Sequence, residues 1–209
     1  MQYGLAVSDN HYFNKDPKSA SKLQEVDIAL GGRQLKLFTD SGVFSSSGLD
    51  KGTQILLRHS GEAIASGKIL DLGAGWGPIS IELAIIRPGA EILAVEINNR
   101  AIELLEKNIA SASVTNVQST SLSKIAERSI DQIWSNPPIR IGKQNLHNLL
   151  IEAFGKLRDG GKAYLVVQKH LGSDSLANWI EKELGHLVER IDNSKGFRVF
   201  RVTKQQLRL

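Results

Sequence analysis

Between Leu23 and Thr39 apolar and polar residues alternate one by one, a period of two that predicts two strands, Leu23 to Leu30 and Gln34 to Thr39. Gly31-Gly32 between them suits a hairpin turn that needs positive φ. The stretch Thr39-Asp-Ser-Gly-Val-Phe-Ser45 is rich in turn formers and leads into a helical segment from Leu49 to Ser60. After it, short apolar runs alternate with longer amphipathic ones. Strands are predicted at Lys68 to Leu72, Glu91 to Glu96, Asn116 to Ser119, Ile130 to Ser135 and Lys162 to Gln168. Helices are predicted at Pro78 to Arg87, Arg100 to Ala112, around Leu146 to Leu157, and Ser175 to Leu184. The second of these helices carries Ile102, Leu105 and Ile109 on one face, and Gly160-Gly161 is expected to stop the third before its strand. Two last strands, Leu187 to Asp192 and Phe197 to Val202, flank a turn at Asn193 to Gly196.

Alternating strands and helices with short connections imply an α/β fold, a doubly wound, mostly parallel seven-stranded sheet with helices on both faces. The two consecutive strands at the end add one antiparallel strand. The expected organisation is one domain over 1–209, with a small β-hairpin extension in 1–45 and the core in 46–209.

Composition narrows the chemistry. With no cysteine, a disulfide framework, thiolate metal site, iron–sulfur cluster or cysteine nucleophile is excluded. The five histidines (His11, His59, His147, His170, His186) form no i, i+3 or i+4 pair, so no metal site is expected. No run approaches the ~20 apolar residues of a membrane span, and the first residues lack the order of a secretory signal. A cytoplasmic protein with no membrane partner is expected. Net charge is only +4, but from Lys195 onward there are five basic residues (Lys195, Arg198, Arg201, Lys204, Arg208) and no acid. Such a run is either a solvated tail or an edge that meets a polyanion.

In an open α/β sheet the ligand lies beyond the carboxyl ends of the strands. There the chain reads Ile69-Leu-Asp-Leu-Gly-Ala-Gly-Trp-Gly-Pro78. Glycines allow a sharp turn and close approach of a ligand to backbone. A dinucleotide fingerprint would space them G-x-G-x-x-G around a pyrophosphate. Here the spacing is G-x-G-x-G, and Asp71 precedes it, an acid that repels a pyrophosphate and suits an ammonium group. S-adenosylmethionine has that ammonium and no phosphate. The next strand ends Ala94-Val-Glu-Ile-Asn98, placing Glu96 where a carboxylate can accept from both hydroxyls of a ribose. Asp71, Gly73, Ala74, Gly75, Gly77, Glu96 and Ile97 are therefore the candidate cofactor contacts.

At the end of the fourth parallel strand stands Ser135-Asn-Pro-Pro-Ile139. Prolines cannot donate to a ladder, so the strand stops there with a rigid backbone at the same edge as the glycine loop. An exocyclic amine is a poor nucleophile because its lone pair is delocalised into the ring. The Asn136 oxygen and the Pro137 carbonyl can accept its N–H bonds and favour a geometry that frees the lone pair. Asn136, Pro137, Pro138 and Ile139 are the candidate catalytic residues, and no separate strong base is required.

These motifs resemble the class I S-adenosylmethionine-dependent methyltransferases, and more closely the small-subunit ribosomal RNA guanine-N2 methyltransferase family in its compact, single-domain form. The likeness runs through His11-Tyr-Phe13, Thr39 to Ser45, Asp71 to Pro78, Asn136 to Ile139 with Arg140, Gly142 and Lys143, then Gln168-Lys169 and Lys195-Gly-Phe-Arg198. It implies that Phe44 lies near cofactor or substrate. Many relatives carry an acid after the third parallel strand to bind the adenine amine; here Ser121 stands in, within Ser119-Thr-Ser-Leu122. Relatives that act on adenine or glutamine amides usually have an aromatic residue where Ile139 stands, so the aliphatic side chain tilts the resemblance toward guanine N2. The expected partner is ribosomal RNA or the small ribosomal subunit, with Arg140, Lys143, Lys169, Lys195 and Arg198 as candidate phosphate contacts. Two rival readings remain at this point. One is a non-catalytic RNA-binding or ribosome-assembly module on the same fold. The other is a methyltransferase of adenine N6 or of a protein glutamine amide.

Overall fold

In a computed structural model, which describes residues 19–206, the alternating segment near the start forms a two-stranded antiparallel hairpin, β1 (Gln24–Leu30) and β2 (Arg33–Thr39). Gly31 and Gly32 turn it with φ of +56° and +75°, values that L side chains rarely adopt. His11-Tyr-Phe13 lies outside the described residues.

The remaining strands make one seven-stranded sheet: β3 (Ser66–Leu72), β4 (Gly89–Val95), β5 (Val117–Thr120), β6 (Ile130–Ser135), β7 (Leu157–Gln168), β8 (Leu187–Ser194) and β9 (Phe197–Thr203). Their spatial order is β5-β4-β3-β6-β7-β9-β8. The first five are mutually parallel, and β9 alone runs against its neighbours, as the sequence implied. Chain order reverses between β3 and β6, the switch point where such sheets bind ligands.

Period-two side chains divide the sheet into two faces. Ile69, Ile92, Trp134, Tyr164 and Val166 pack against Ile55, Leu56, Ile79 and Leu83 of α1 (Lys51–Leu57) and α2 (Pro78–Ile86). Leu70, Leu93, Ile133, Leu165 and Val167 pack against Leu146, Leu150, Phe154, Leu176 and Ile180 of α4 (Lys143–Lys156) and α5 (Ser173–Leu184). Between them in the chain, α3 (Asn99–Ala112) joins the hairpin: its Ala101, Leu104 and Ala112 share a cluster with Leu30, Leu35, Leu37, Trp76 and Ile81. No helix among the described residues is long and apolar enough to cross a membrane.

Three expectations need correction. The face predicted on α3 is displaced, since Ala101, Leu104, Leu105, Asn108 and Ala112 are buried while Ile102 and Ile109 are only partly so. The reason is Asn108, a polar residue that periodicity counts against burial. Its side chain accepts from Phe38 N (2.7 Å) and donates to Phe38 O (2.9 Å) and Trp76 O (2.8 Å), fastening β2 to α3. Next, Gly160-Gly161 do not stop α4. The helix ends at Lys156, Leu157 already pairs with Ile130, and the glycines lie in an irregular stretch of β7 whose backbone bonds to Lys204. Lys204 instead closes the helix, donating from Nζ to Phe154 O and Leu157 O at 2.8 and 2.6 Å. Finally, the first helical segment is shorter than Leu49 to Ser60: it starts at Lys51, where Asp50 caps it by accepting from Gly52 N and Thr53 N, and it ends at Leu57 ahead of a separate short turn at Ser60–Glu62.

Candidate active site

The carboxyl ends of β3, β4, β6 and β7 open on one cavity of about 460 Å³. The loop after β3 shapes one end of it, with Gly73, Gly75 and Gly77 at φ of +77°, +57° and +98°. Their reasons differ. At Gly73 a β-carbon would meet only Pro138 at 3.8 Å, and at Gly75 nothing, so those two leave room above the loop. At Gly77 it would strike Leu105 Cδ1 at 2.6 Å, so that glycine serves the approach of α2 to α3.

Four of the loop's donors are already engaged: Gly73 N and Ala74 N bond to Val95 O (2.9 and 3.0 Å), Gly75 N to Glu96 Oε2 (2.9 Å) and Gly77 N to Ala74 O (3.0 Å). A phosphate needs such N–H groups free. This loop is therefore built for a group that donates, in keeping with the acid that leads it. Asp71 is fully buried beneath the loop, its Oδ2 accepting from the Ser80 hydroxyl at 2.6 Å and its Oδ1 without a partner. Burial pushes its carboxyl up to about 7, Ser80 opposing and the Glu96 charge adding to the rise. An orphaned buried carboxyl oxygen fits a cationic ligand.

Glu96, just past β4, is held by the chain rather than left to wander. Besides Gly75 N, it accepts from Ile97 N (2.7 Å) and Asn98 N (3.0 Å). Ile97 and Phe44 stand on the cavity wall, large apolar side chains left 58% and 44% exposed. Phe44 is carried by the turn-rich segment after β2, which is tied down on both sides. Asn98 donates to Gly42 O at 3.0 Å, and Arg100 donates to Ser41 O at 2.6 Å and to Ser19 O at 2.9 Å. Asp40 in the same segment accepts from Ser21, Lys22 N and Ser41. Burial opposes its ionisation, but those bonds and Arg100 hold it below the usual carboxylate range.

Asn136 to Ile139 form the facing wall. The Ser135 hydroxyl donates to Leu72 O at 2.6 Å, binding the end of β6 to the end of β3 and so the acceptor motif to the glycine loop. Asn136 Nδ2 donates to Asp50 Oδ2 (2.9 Å) and Thr53 Oγ1 (3.0 Å). Both of its donor positions are thereby used, which fixes the orientation of the amide and leaves Oδ1 as its acceptor. The Pro137 carbonyl accepts from Ile139 N at 2.8 Å and keeps a second lone pair.

The sequence motifs missed Asp50, Thr53 and Phe197 as parts of this site, although Asp50 and Phe197 line the cavity. Asp50 reads in the sequence as an ordinary helix cap. Phe197 sits in the Lys195-Gly-Phe-Arg198 motif, whose charges drew attention instead. Of the other predicted residues, Arg140 lines the cavity and Gly73 forms its floor, whereas Asp71, Ala74, Gly75, Gly77 and Ser121 do not face it. The Ser121 hydroxyl pairs with Ser123 at 3.2 Å. Lys169 and Lys195 are brought together, because Lys169 N donates to Gly196 O at 2.8 Å where the β8–β9 turn meets the end of β7. Both are exposed, as is Lys143 at the start of α4. Arg198 is different: its side chain is 11% exposed and its guanidinium pairs with Asp174 and with Ser173 Oγ.

A family model described as the methyltransferase small domain matches residues 34–201. A protein of Bacillus subtilis, the uncharacterized protein YbxB, is 32% identical over 198 residues, covering 93% of this chain and 98% of that one. The ribosomal RNA small subunit methyltransferase C of Pseudomonas entomophila is 30% identical over 189 residues, 88% of this chain and 55% of its own. The chain thus spans about half the length of the named ribosomal RNA methyltransferases it matches. Among solved structures, the Thermus thermophilus 16S rRNA N2 G1207 methyltransferase, in complex with AdoMet and guanosine, superposes with a TM-score of 0.74 at 23% identity, over 88% of this chain and 51% of that one. The M. jannaschii protein TYW2 in complex with AdoMet superposes with a TM-score of 0.57 at 19% identity, over 88% and 86% of the two chains. At these identities the likeness is one of fold.

Proposed function

The chain belongs to the methyltransferase small domain family, and on that premise we propose that it transfers a methyl group from S-adenosylmethionine to an exocyclic amine, guanine N2 of small-subunit ribosomal RNA. The observation that carries the reading is the orientation of Asn136. With Nδ2 held by Asp50 and Thr53, Oδ1 is the atom left to meet an amine, beside the carbonyl of Pro137. Two acceptors on the two N–H bonds of an amine favour pyramidal nitrogen and in-line attack.

The residues present fit the cofactor. Asp71, buried beneath the loop, would act on its ammonium by charge from behind the cavity wall, Glu96 would meet its ribose hydroxyls, and Gly73, Ala74 and Gly75 would keep the space above the loop clear. Ile97 and Phe44 would cover its apolar surface, with Ser121 outside the cavity lining on the adenine side. When bound it supplies a methyl on a sulfonium, so that an N–CH3 bond forms as the S–CH3 bond breaks, the bonding pair stays on sulfur, and one amine proton is released. Asn136, Pro137, Pro138 and Ile139 hold the acceptor, on a core of 46–209 with 1–45 as its extension. Arg140, Lys143, Lys169 and Lys195 would meet phosphates of the RNA in the cytoplasm.

The test is transfer from tritiated S-adenosylmethionine to undermethylated 30S particles, naked ribosomal RNA, DNA and release factors, followed by nucleoside analysis. N2-methylguanosine is expected; label in N6-methyladenosine or in protein would overturn the choice of acceptor. Asn136→Ala should lower transfer by at least about a hundredfold and leave cofactor affinity unchanged. Loss of both together would mean that Asn136 does not act on the acceptor.

A further inference from the structure

So far Asp50 serves only to hold Asn136, yet it lines the cavity itself. Its Oδ2 is saturated, accepting from Gly52 N (2.7 Å), Thr53 N (3.2 Å) and Asn136 Nδ2 (2.9 Å). Among the described residues no hydrogen bond reaches its Oδ1. Gly52 keeps the neighbourhood open: a β-carbon there would lie 2.9 Å from Asp50 Oδ2 and 2.9 Å from the Phe197 ring. The other walls at this end, Ile139, Leu171 and Phe197, are apolar and suit a flat ring.

The hydrogen bond that joins the two side chains leaves one acceptor on each without a partner among the described residues, Asp50 Oδ1 and Asn136 Oδ1, and both residues line the cavity. The reacting edge of guanine offers two adjacent donors, N1–H and the N2 amine. Adenine offers a donor at N6 but an acceptor at N1, and a carboxamide offers a donor beside an acceptor. Only the first pattern complements two acceptors; each of the others sets a ring nitrogen or carbonyl lone pair against a carboxylate.

We propose that Asp50 selects the acceptor base, its free carboxylate oxygen taking N1–H of guanine while Asn136 takes the N2 amine. The inference rests on guanine N2 being the target and explains how that target is distinguished. A purine with the 2-amine but no N1–H, 2-aminopurine, probes the Asp50 contact; it also lacks the 6-oxygen, so the comparison of wild type with Asp50→Asn is what assigns the difference to Asp50.

The experiment is calorimetric binding of guanosine, 2-aminopurine riboside and adenosine to the full chain saturated with S-adenosylhomocysteine, in wild type, Asp50→Asn and Thr53→Val. Wild type should prefer guanosine over 2-aminopurine riboside by roughly thirtyfold or more. Asp50→Asn can retain the bonds to Gly52, Thr53 and Asn136 through its oxygen while turning an NH2 donor toward ring N1. It should bind guanosine at least about tenfold more weakly and bring the preference close to one. Thr53→Val disturbs only the hold on Asn136 and should weaken both 2-amino nucleosides by the same factor. If Asp50→Asn weakens them equally too, with S-adenosylhomocysteine affinity intact, Asp50 merely positions Asn136 and the proposal fails. Adenosine bound by wild type as tightly as guanosine defeats it as well, while N2-methylguanosine in treated ribosomal RNA would leave the parent reading standing. Label found only in another acceptor removes both.

Discussion

A buried carboxyl with an unpartnered oxygen is unfavourable unless it stays protonated or meets a cation. Asp71 meets that description, and its pKa of about 7 gives the consequence a sign. From pH 7 down toward 4 the folded protein takes up a proton that the unfolded chain does not, so this group favours folding as pH falls and disfavours it above 7. An ammonium ligand needs the opposite state, the carboxylate. S-adenosylhomocysteine should therefore release a proton on binding at pH 6, and its affinity should fall up to about tenfold per unit below pH 7. Calorimetry in buffers of different ionisation heat measures this directly, and Asp71→Asn should bind more weakly with the pH dependence gone. A flat affinity from pH 6 to 7.5 would show that the charge of Asp71 does not act on the ammonium. Asp71 and Asn136 were legible in the sequence because each sits beside glycines or prolines that mark a strand end, and Glu96 because it closes the apolar run of the next strand. Asp50 was not, since its partner Asn136 lies 86 residues away and nothing local announces the contact.

At the level of elements, local periodicity placed the nine strands and five α-helices of the described residues to within a few residues, save the start of β7, which lies five residues earlier than expected. It failed where the decisive partner was remote. Gly160-Gly161 looked like a helix stop until the bonds from β7 to Lys204 drew them into the sheet. Asn108 is polar and lies off the face predicted from Ile102, Leu105 and Ile109, and only the hairpin's backbone explains its burial. Replacing Asn108 by Ala leaves the N–H and C=O of Phe38 and the carbonyl of Trp76 without their side-chain partner. The expected loss is about 2–4 kcal/mol of stability, seen as a midpoint shift in denaturant. Amide exchange should quicken in β1 and β2 before the central sheet, because the hairpin meets the rest of the fold largely through α2 and α3. Uniform acceleration would mean the hairpin does not open separately.

For the molecule as a whole, the placement of charge matters more than its modest total. Lys169 and Lys195 adjoin through the β8–β9 turn, and Arg140 lies on the cavity wall, so positive charge gathers at the acceptor end. If these groups meet phosphates, RNA affinity should fall steeply with salt. Lys195→Ala should then reduce the slope of log K against log salt by roughly 0.7–0.9. Arg198→Ala should leave that slope alone and lower thermal stability instead, since its charge is committed to Asp174 inside the fold. A slope reduced by Arg198→Ala and untouched by Lys195→Ala would reverse the assignment. The last strand also bears on how such a protein could change its habits over evolutionary time. Because β9 runs against its neighbours, its first residue, Phe197, stands opposite Gln168 at the same rim as the ends of β3, β4 and β6. The connection just before it, Lys195-Gly196, is then a surface loop that borders the business edge without carrying any of the core. Lengthening it would extend the outer wall of the cavity at little risk to folding, which makes this turn the natural place for a lineage, or an engineer grafting loops, to acquire a new acceptor.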